Sequence, residues 1–403
     1  MNDISKLQTT SNQIISDSVR WLLYSGIRIK NGSNRGAVYG WKNLDPPSYP
    51  FIYSEITGYA ITSYVYIYSE LLNNEALAAA KDCANWLIQN TSTNKPSSTS
   101  LLPTGIIEVP EFNQKGDLSN QIYAFDNGMV VIGLLNLYKI TKDQNLLKVA
   151  EKIVKSLADV FFDGSKVIAV LDRSGNTISS DSFRDNYGIK WSSVSGPYHS
   201  KLSLCLLELS SLTNNHYYAA ISDSLCKFAL KFQRSNGRFV TNPDQENITF
   251  LHPHLYACEG LVYAGIRCSN KDYLLAGIKG VIWAMNQINL STGGLPRNTV
   301  VGAPEQSDCM AQLLRLLIIC NSRIQEFTNN CDAVRSTIEK IHKRLVDFYI
   351  AEGPDKGGIR YQNSLDAACS WCTMFTMQAL TLWTKRLEFE KKNNDTKWID
   401  NYI

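Results

Sequence analysis

Apolar residues recur at i, i+3 and i+4 in about a dozen stretches of the chain, and sustained period-two alternation is almost absent. The pattern predicts an all-α protein. Two kinds of helix alternate along it. One kind opens with polar, often aromatic residues and continues as an apolar run: YSEITGYAITSYVYIYSEL from Tyr53, FDNGMVVIGLLNLYKIT from Phe125, GPYHSKLSLCLLELSSLT from Gly196, HPHLYACEGLVYAGIRC from His252, QSDCMAQLLRLLIIC from Gln306 and CSWCTMFTMQALTLW from Cys369. The other kind is amphipathic with a charged face, as in DQNLLKVAEKIVKSLADVFF and CDAVRSTIEKIHKRLVDFY. A helix near SDSVRWLLYSG completes that second set. Helices apolar all round suit an inner ring, and one-sided helices suit an outer ring that needs a solvent face. The expectation is an (α/α)6 toroid of six inner and six outer helices, a single catalytic domain over residues 1–403. Its outer-to-inner connections, such as PTGIIEV, SKVIAVLDRSGNTI and GGIRYQNS, read as β-hairpin-like pieces at one mouth. The run TSTNKPSSTS from Thr91 reads as a flexible excursion.

The inner helices carry polar stripes that a buried position does not explain. His252, Tyr256, Glu259 and Tyr263 fall at i, i+4, i+7 and i+11, Glu55, Tyr59, Thr62 and Tyr66 repeat that spacing, and Asp308, Gln312 and Arg315 repeat it over two turns. Burying unpaired carboxylates is costly, so the stripes predict a wet hollow shared by all of them. Asp126 and Asp308 are also good N-cap types, which is the structural alternative for either residue alone. Pro253 suits a first helical turn and places His252 at the rim.

Composition narrows the function class. Forty basic and 37 acidic side chains leave a formal charge of +3 without a basic stripe, which argues against a nucleic-acid partner. No apolar stretch is long enough to span a bilayer, and no secretion signal is read at the N-terminus. Ten cysteines, mostly inside apolar helical patterns, suggest no disulfide framework. The expected location is the cytoplasm. Cys369 and Cys372 have CxxC spacing without a second metal-ligand pair, and His216 and His342 lie on outer helices. Phosphate-cradling glycine loops and nucleophile elbows are absent. No cofactor and no metal are expected.

Three stretches carry a family resemblance. FDNGMVVIGLLNLYKITKDQNLLKVAEKI looks like the repeat of toroidal carbohydrate-active enzymes. PHLYACEGLVYA resembles the histidine and glutamate helix of the N-acylglucosamine 2-epimerase group, and GPYHSKLSLCLLEL is similar to a stretch of the glucuronyl C5-epimerases. The sixth inner helix reads CSWCTMF and departs from the 2-epimerase pattern, which has a second histidine there. The resemblance implies an enzyme of glycan metabolism acting on an oligosaccharide or polysaccharide, and leaves a homodimer open.

The leading expectation is a uronosyl C5-epimerase type of proton transfer, which needs a base, an opposing acid and donors to the enediolate-like intermediate. His254 or Glu259 are the candidate bases, Tyr198 or His199 the acids, and Lys201 with Arg297 the carboxylate clamp. Tyr53, Tyr59 and Trp371 are candidates for stacking on sugar rings, and His252, Tyr256, Gln306 and Gln312 for binding substrate. The alternative is a glycoside hydrolase, or a lyase, using a carboxylate pair drawn from Glu55, Asp126, Glu259 and Asp308. A glycan-binding toroid without catalysis comes third.

Overall fold

A computed structural model describes residues 2–91, 121–163, 166–172, 175–179, 181–182, 191–321, 324 and 331–391. The runs TSTNKPSSTS and PTGIIEV, apart from Thr91, lie outside these residues. Twelve α-helices are found among them. Six belong to the outer set: α1 (Asn2–Tyr24), α3 (Asn74–Asn90), α5 (Gln144–Val160), α7 (His216–Leu230), α9 (Lys271–Met285) and α11 (Cys331–Val346). The inner set is α2 (Ser54–Leu71), α4 (Ala124–Thr141), α6 (Ser203–Thr213), α8 (Leu251–Arg267), α10 (Ser307–Ile319) and α12 (Ser370–Lys391). A 3₁₀ turn over Pro197–Leu202 leads into α6.

The inner helices close a circle. Each packs on the next in chain order and α12 packs back on α2, while every inner helix also contacts an outer one. The inner–inner approach is close because glycines sit where backbones meet. A side chain on Gly58 of α2 would lie 2.8 Å from the Met129 carbonyl oxygen of α4, and one on Gly133 would lie 2.6 Å from the Gly58 carbonyl oxygen.

One turn recurs where an inner helix hands over to an outer helix. Leu72, Lys142, Asn214 and Ser269 each take a left-handed conformation, with φ between 52° and 58°. The residue that follows caps the next helix: Asn73, Asp143, Asn215 and Asn270 accept backbone N–H groups from α3, α5, α7 and α9. The left-handed residue stops one helix, the cap starts the next, and two residues make the reversal. The opposite end of the ring therefore receives all the longer outer-to-inner connections.

Those connections carry the short strands: β1 (Trp41–Leu44), β2 (Pro47–Ser48), β3 (Gln121–Tyr123), β4 (Phe162–Asp163), β5 (Lys166–Val167), β6 (Val170–Asp172), β7 (Ile359–Arg360) and β8 (Ala367–Cys369). The order β2-β1-β8-β7 ties the first connection to the last, with Trp41 opposite Cys369. This stitch, together with α1 packing on α12, closes the ring where the chain itself does not. Every inner helix thus presents its N-terminal turn to the same mouth.

Candidate functional site

The stripes on α2, α8 and α10 converge inside the ring, and α12 adds a fourth. Its Trp371, Phe375 and Gln378 repeat the i, i+4, i+7 spacing of His252, Tyr256 and Glu259. The side chains lie in tiers.

At the mouth, His252 and Asp308 meet across α8 and α10, with His252 Nδ1 3.4 Å from Asp308 Oδ2. The same carboxylate oxygen accepts the Trp371 indole N–H at 3.2 Å, and Asp308 Oδ1 accepts the Cys309 backbone N–H at 2.7 Å. Asp308 is thereby fixed at the first turn of α10, where the helix dipole favours its charge. The His252 ring packs edge-on to Tyr256 at 4.3 Å and to Trp191 at 5.6 Å, and its side chain keeps 14% exposure. Burial lowers its pKa, with Asp308 opposing, so the imidazole is neutral at neutral pH. On the other side of the mouth Glu55 and Asp126 are buried, and both raise the phenol pKa values of Tyr53 and Tyr198, after burial as the main cause.

The middle tier crosses the axis. Helices α2 and α8 are first and fourth in a ring of six, on opposite sides, and Tyr59 Oη lies 2.7 Å from Tyr256 Oη. Phe375 from α12 meets the Tyr59 ring edge-on at 5.3 Å. Beneath is a buried ionic girdle. Lys201 Nζ is 2.9 Å from Glu259 Oε2, Arg315 donates to Glu259 Oε1 at 3.2 Å, and Arg315 also donates to Gln378 Oε1 at 2.7 Å. The girdle joins the third, fourth, fifth and sixth inner elements, and its three charged side chains have at most 1% exposure. Lys201 Nζ also sits 4.0 Å from the centre of the Tyr256 ring.

No family model matches the chain, and no curated protein matches it. Solved structures do. A cellobiose 2-epimerase from Bacillus thermoamylovorans superposes with a TM-score of 0.74 at 13% identity, over 96% of this chain and 100% of that one. A D-mannose isomerase gives 0.71 at 11% identity over 94% and 97%. An unsaturated glucuronyl hydrolase from Bacillus sp. GL1, whose description assigns it to glycosaminoglycan degradation, gives 0.67 at 12% identity over 94% and 97%. The fold is the (α/α)6 toroid. At these identities the likeness speaks for the fold alone.

Within the toroid several residues sit apart from the roles expected of them. His254 is turned away from the ring interior: its Nε2 lies 3.0 Å from the Gly280 carbonyl of α9, its Nδ1 accepts the Phe239 N–H at 3.3 Å, and its ring packs on Trp283 at 4.6 Å. One hundred degrees per residue puts it some 200° around the helix from His252, so an alternate-residue pair cannot share the inner face. Burial lowers its pKa to about 4. His199 Nδ1 is 3.1 Å from the Gly196 carbonyl, and burial lowers its pKa to about 3. The Tyr198 hydroxyl donates to the Ser192 and Val194 carbonyls at 3.1 and 2.8 Å, which holds the turn before α6. Lys201 is spent on Glu259 instead of forming a clamp with Arg297, and both Glu259 oxygens are engaged by cations, Oε2 by Lys201 and Oε1 by Arg315.

Other expected residues line the mouth. Arg297 is exposed at the rim, 5.8 Å from the Phe250 ring. Gln306 precedes α10 and faces the Cys309 thiol, while Gln312 is fully buried one turn beyond Asp308. Donor atoms of His252, Asp308 and Cys309 lie within 4.8 Å of one another, a geometry that could hold a metal ion, although burial pushes the Cys309 thiol well above its usual pKa. Cys369 and Cys372 are buried. His342 lies 2.6 Å from Ser11 Oγ and stacks on Trp383, a structural contact between outer and inner layers. Among the described residues no helix is long and apolar enough to cross a membrane.

Phe375 and Gln378 were not among the sequence candidates. Their signal was the stripe spacing from Trp371, hidden because phenylalanine and glutamine on an apolar helix read as core and filler.

Proposed function

We propose that this chain is a carbohydrate-processing enzyme of the epimerase and isomerase type, a single toroidal catalytic domain that moves a proton at a sugar carbon next to a carbonyl or carboxylate. The observation that carries the reading is His252: neutral through burial, partly accessible at the mouth, and beside the anchored carboxylate of Asp308. A neutral imidazole can take the proton, and Asp308 stabilises the imidazolium that forms. Tyr59 and Tyr256 one turn deeper can donate to the oxygen that becomes negative. Trp191 and Trp371 flank His252 and Asp308 as sugar-stacking surfaces. The named activities of the fold neighbours, cellobiose 2-epimerase and D-mannose isomerase, support this class of chemistry.

In its finer form the substrate is a uronosyl residue of a glycan and the carbon is C5, with Arg297 at the rim receiving the carboxylate. Incubation in deuterium oxide tests both forms. Reducing disaccharides, free aldoses and uronate-containing glycans are offered in turn, and carbon-bound deuterium is read by NMR. Label at C5 of a uronosyl residue supports the finer form, and label at C2 of a reducing sugar supports the coarser one alone. No exchange on any of them removes the proposal.

A second reading is glycoside hydrolysis by Glu55 and Asp126. It is favoured by both carboxylates lying close enough to Tyr53 and Tyr198 to help raise their phenol pKa values. New reducing ends without exchange would select it.

A further inference from the structure

We propose that Lys201 is a positioning residue that makes the Tyr59–Tyr256 hydroxyl pair a site for an oxyanion forming on the sugar. This rests on the proton-transfer reading above. It gives a reaction role to two groups, the phenol pair and the buried girdle, that the base alone leaves idle.

Two hydroxyls carry two protons, and the 2.7 Å contact between them uses one. The second proton remains to be donated, and the pair has no further hydrogen bond among the described residues. Its position on the axis, one helical turn below His252 on the same face of α8, puts that donor under a sugar whose carbon faces the imidazole.

Lys201 and Arg315 bring two positive charges and Glu259 one negative, so the trio itself carries one surplus positive charge at nearly zero exposure, which the buried Glu55 carboxylate on α2 partly offsets. A buried ion trio is weak evidence for a stabilising role, since apolar side chains of similar volume commonly serve stability as well. An ammonium 4.0 Å from the centre of the Tyr256 ring and 5.4 Å from that of Tyr59 does have an electrostatic effect there. It favours negative charge gathering on a substrate oxygen that accepts a phenol proton, against the pull of the Glu55 and Glu259 carboxylates on the same phenols, in surroundings where water does not screen it. The groups facing Lys201 are Glu259, Tyr256 and His252 from α8, Arg315 from α10, Glu55 and Tyr59 from α2, and Phe375 from α12. Burial lowers the lysine pKa to about 8 against the pull of Glu259, so it is charged at neutral pH and loses its charge in mild alkali.

The test compares binding of two six-carbon probes to the full chain by calorimetry: an aldonohydroxamate, which mimics an enediolate, and the neutral alditol. Lys201→Met removes the charge at similar volume and leaves Glu259 paired with Arg315, while Lys201→Arg restores it. The expected result is at least a 10-fold loss of hydroxamate affinity in Lys201→Met, an unchanged alditol affinity, and recovery in Lys201→Arg. In the exchange assay kcat falls with little change in KM, and the alkaline limb near pH 8 moves up in Lys201→Arg. Glu259→Gln raises the surplus charge and should tighten the hydroxamate, which serves if Lys201→Met does not fold. Equal loss of both probes, or of neither, overturns the proposal. If the probes discriminate as expected but no sugar exchanges deuterium, the proton-transfer reading fails and the charge arrangement stands.

Discussion

Gly260 offers the sharpest test of how the ring holds its site. It follows Glu259 on α8, and a methyl group there would lie 2.2 Å from the Ser200 carbonyl carbon, 2.4 Å from the Ser200 oxygen and 2.4 Å from the Lys201 nitrogen. Ordinary carbon contacts are about 3.5 Å or more, so Gly260→Ala must push the Pro197–Leu202 turn away by roughly 1 Å. The opposing atoms are backbone and cannot rotate aside. Overpacking of this kind costs about 1–3 kcal/mol, and the rigid neighbour argues for the upper end. Unfolding entropy near about 2.1 cal/mol/K per residue gives roughly 0.8 kcal/mol/K for a chain of this length. The expected fall in Tm is therefore about 3–4 °C, read by scanning calorimetry. The function should suffer more than the fold, because the same movement opens the 2.9 Å Lys201–Glu259 contact, and a misplacement of about 1 Å can cost about 100-fold in rate. Gly32→Ala is the control. Gly32 has φ +81° and nothing within 4 Å of the added carbon, so the substitution should add only about 1 kcal/mol of backbone strain and leave exchange unchanged. A Gly260→Ala protein that melts and exchanges like the wild type would refute the packing argument.

His252→Gln should lower deuterium exchange by about 100-fold or more with a small change in Tm, because the base is lost from a partly open position; unaltered exchange would exclude His252 as the base. Asp308→Asn removes the charge that favours the imidazolium, so the acid limb of the exchange profile should move to lower pH, and an upward shift would contradict the geometry. His254→Gln should leave exchange intact while changing the acid sensitivity of the fold. His254, His199 and His342 have folded pKa values lowered to about 4, 3 and 4 from 6.5. Between pH 6.5 and 4 the unfolded chain binds these protons first, so their stability contribution is complete above 6.5 and is lost as pH falls, at up to about 1.4 kcal/mol per pH unit for each histidine. Urea midpoints across that window should fall with pH, less steeply in His254→Gln; equal slopes would show that His254 is not buried neutral.

Periodicity alone determined the two-layer plan of this protein, because helix burial is written in local chemistry: a helix without a charged face has to stand inside. The stripes of α2, α8 and α10 were legible for the same reason, since 3.6 residues per turn maps spacing onto a face. Tertiary structure decided what the stripes do. Spacing puts His252 on the stripe and His254 some 200° away from it, but it could not say that His254 leans on Gly280 and Trp283, because those partners come from α9 packing against α8. Nor could it foresee Lys201 reaching Glu259, or Tyr59 meeting Tyr256, since those contacts join residues 58 and 197 positions apart. Charges attract over distance in space, and only the closed ring brings these groups within it.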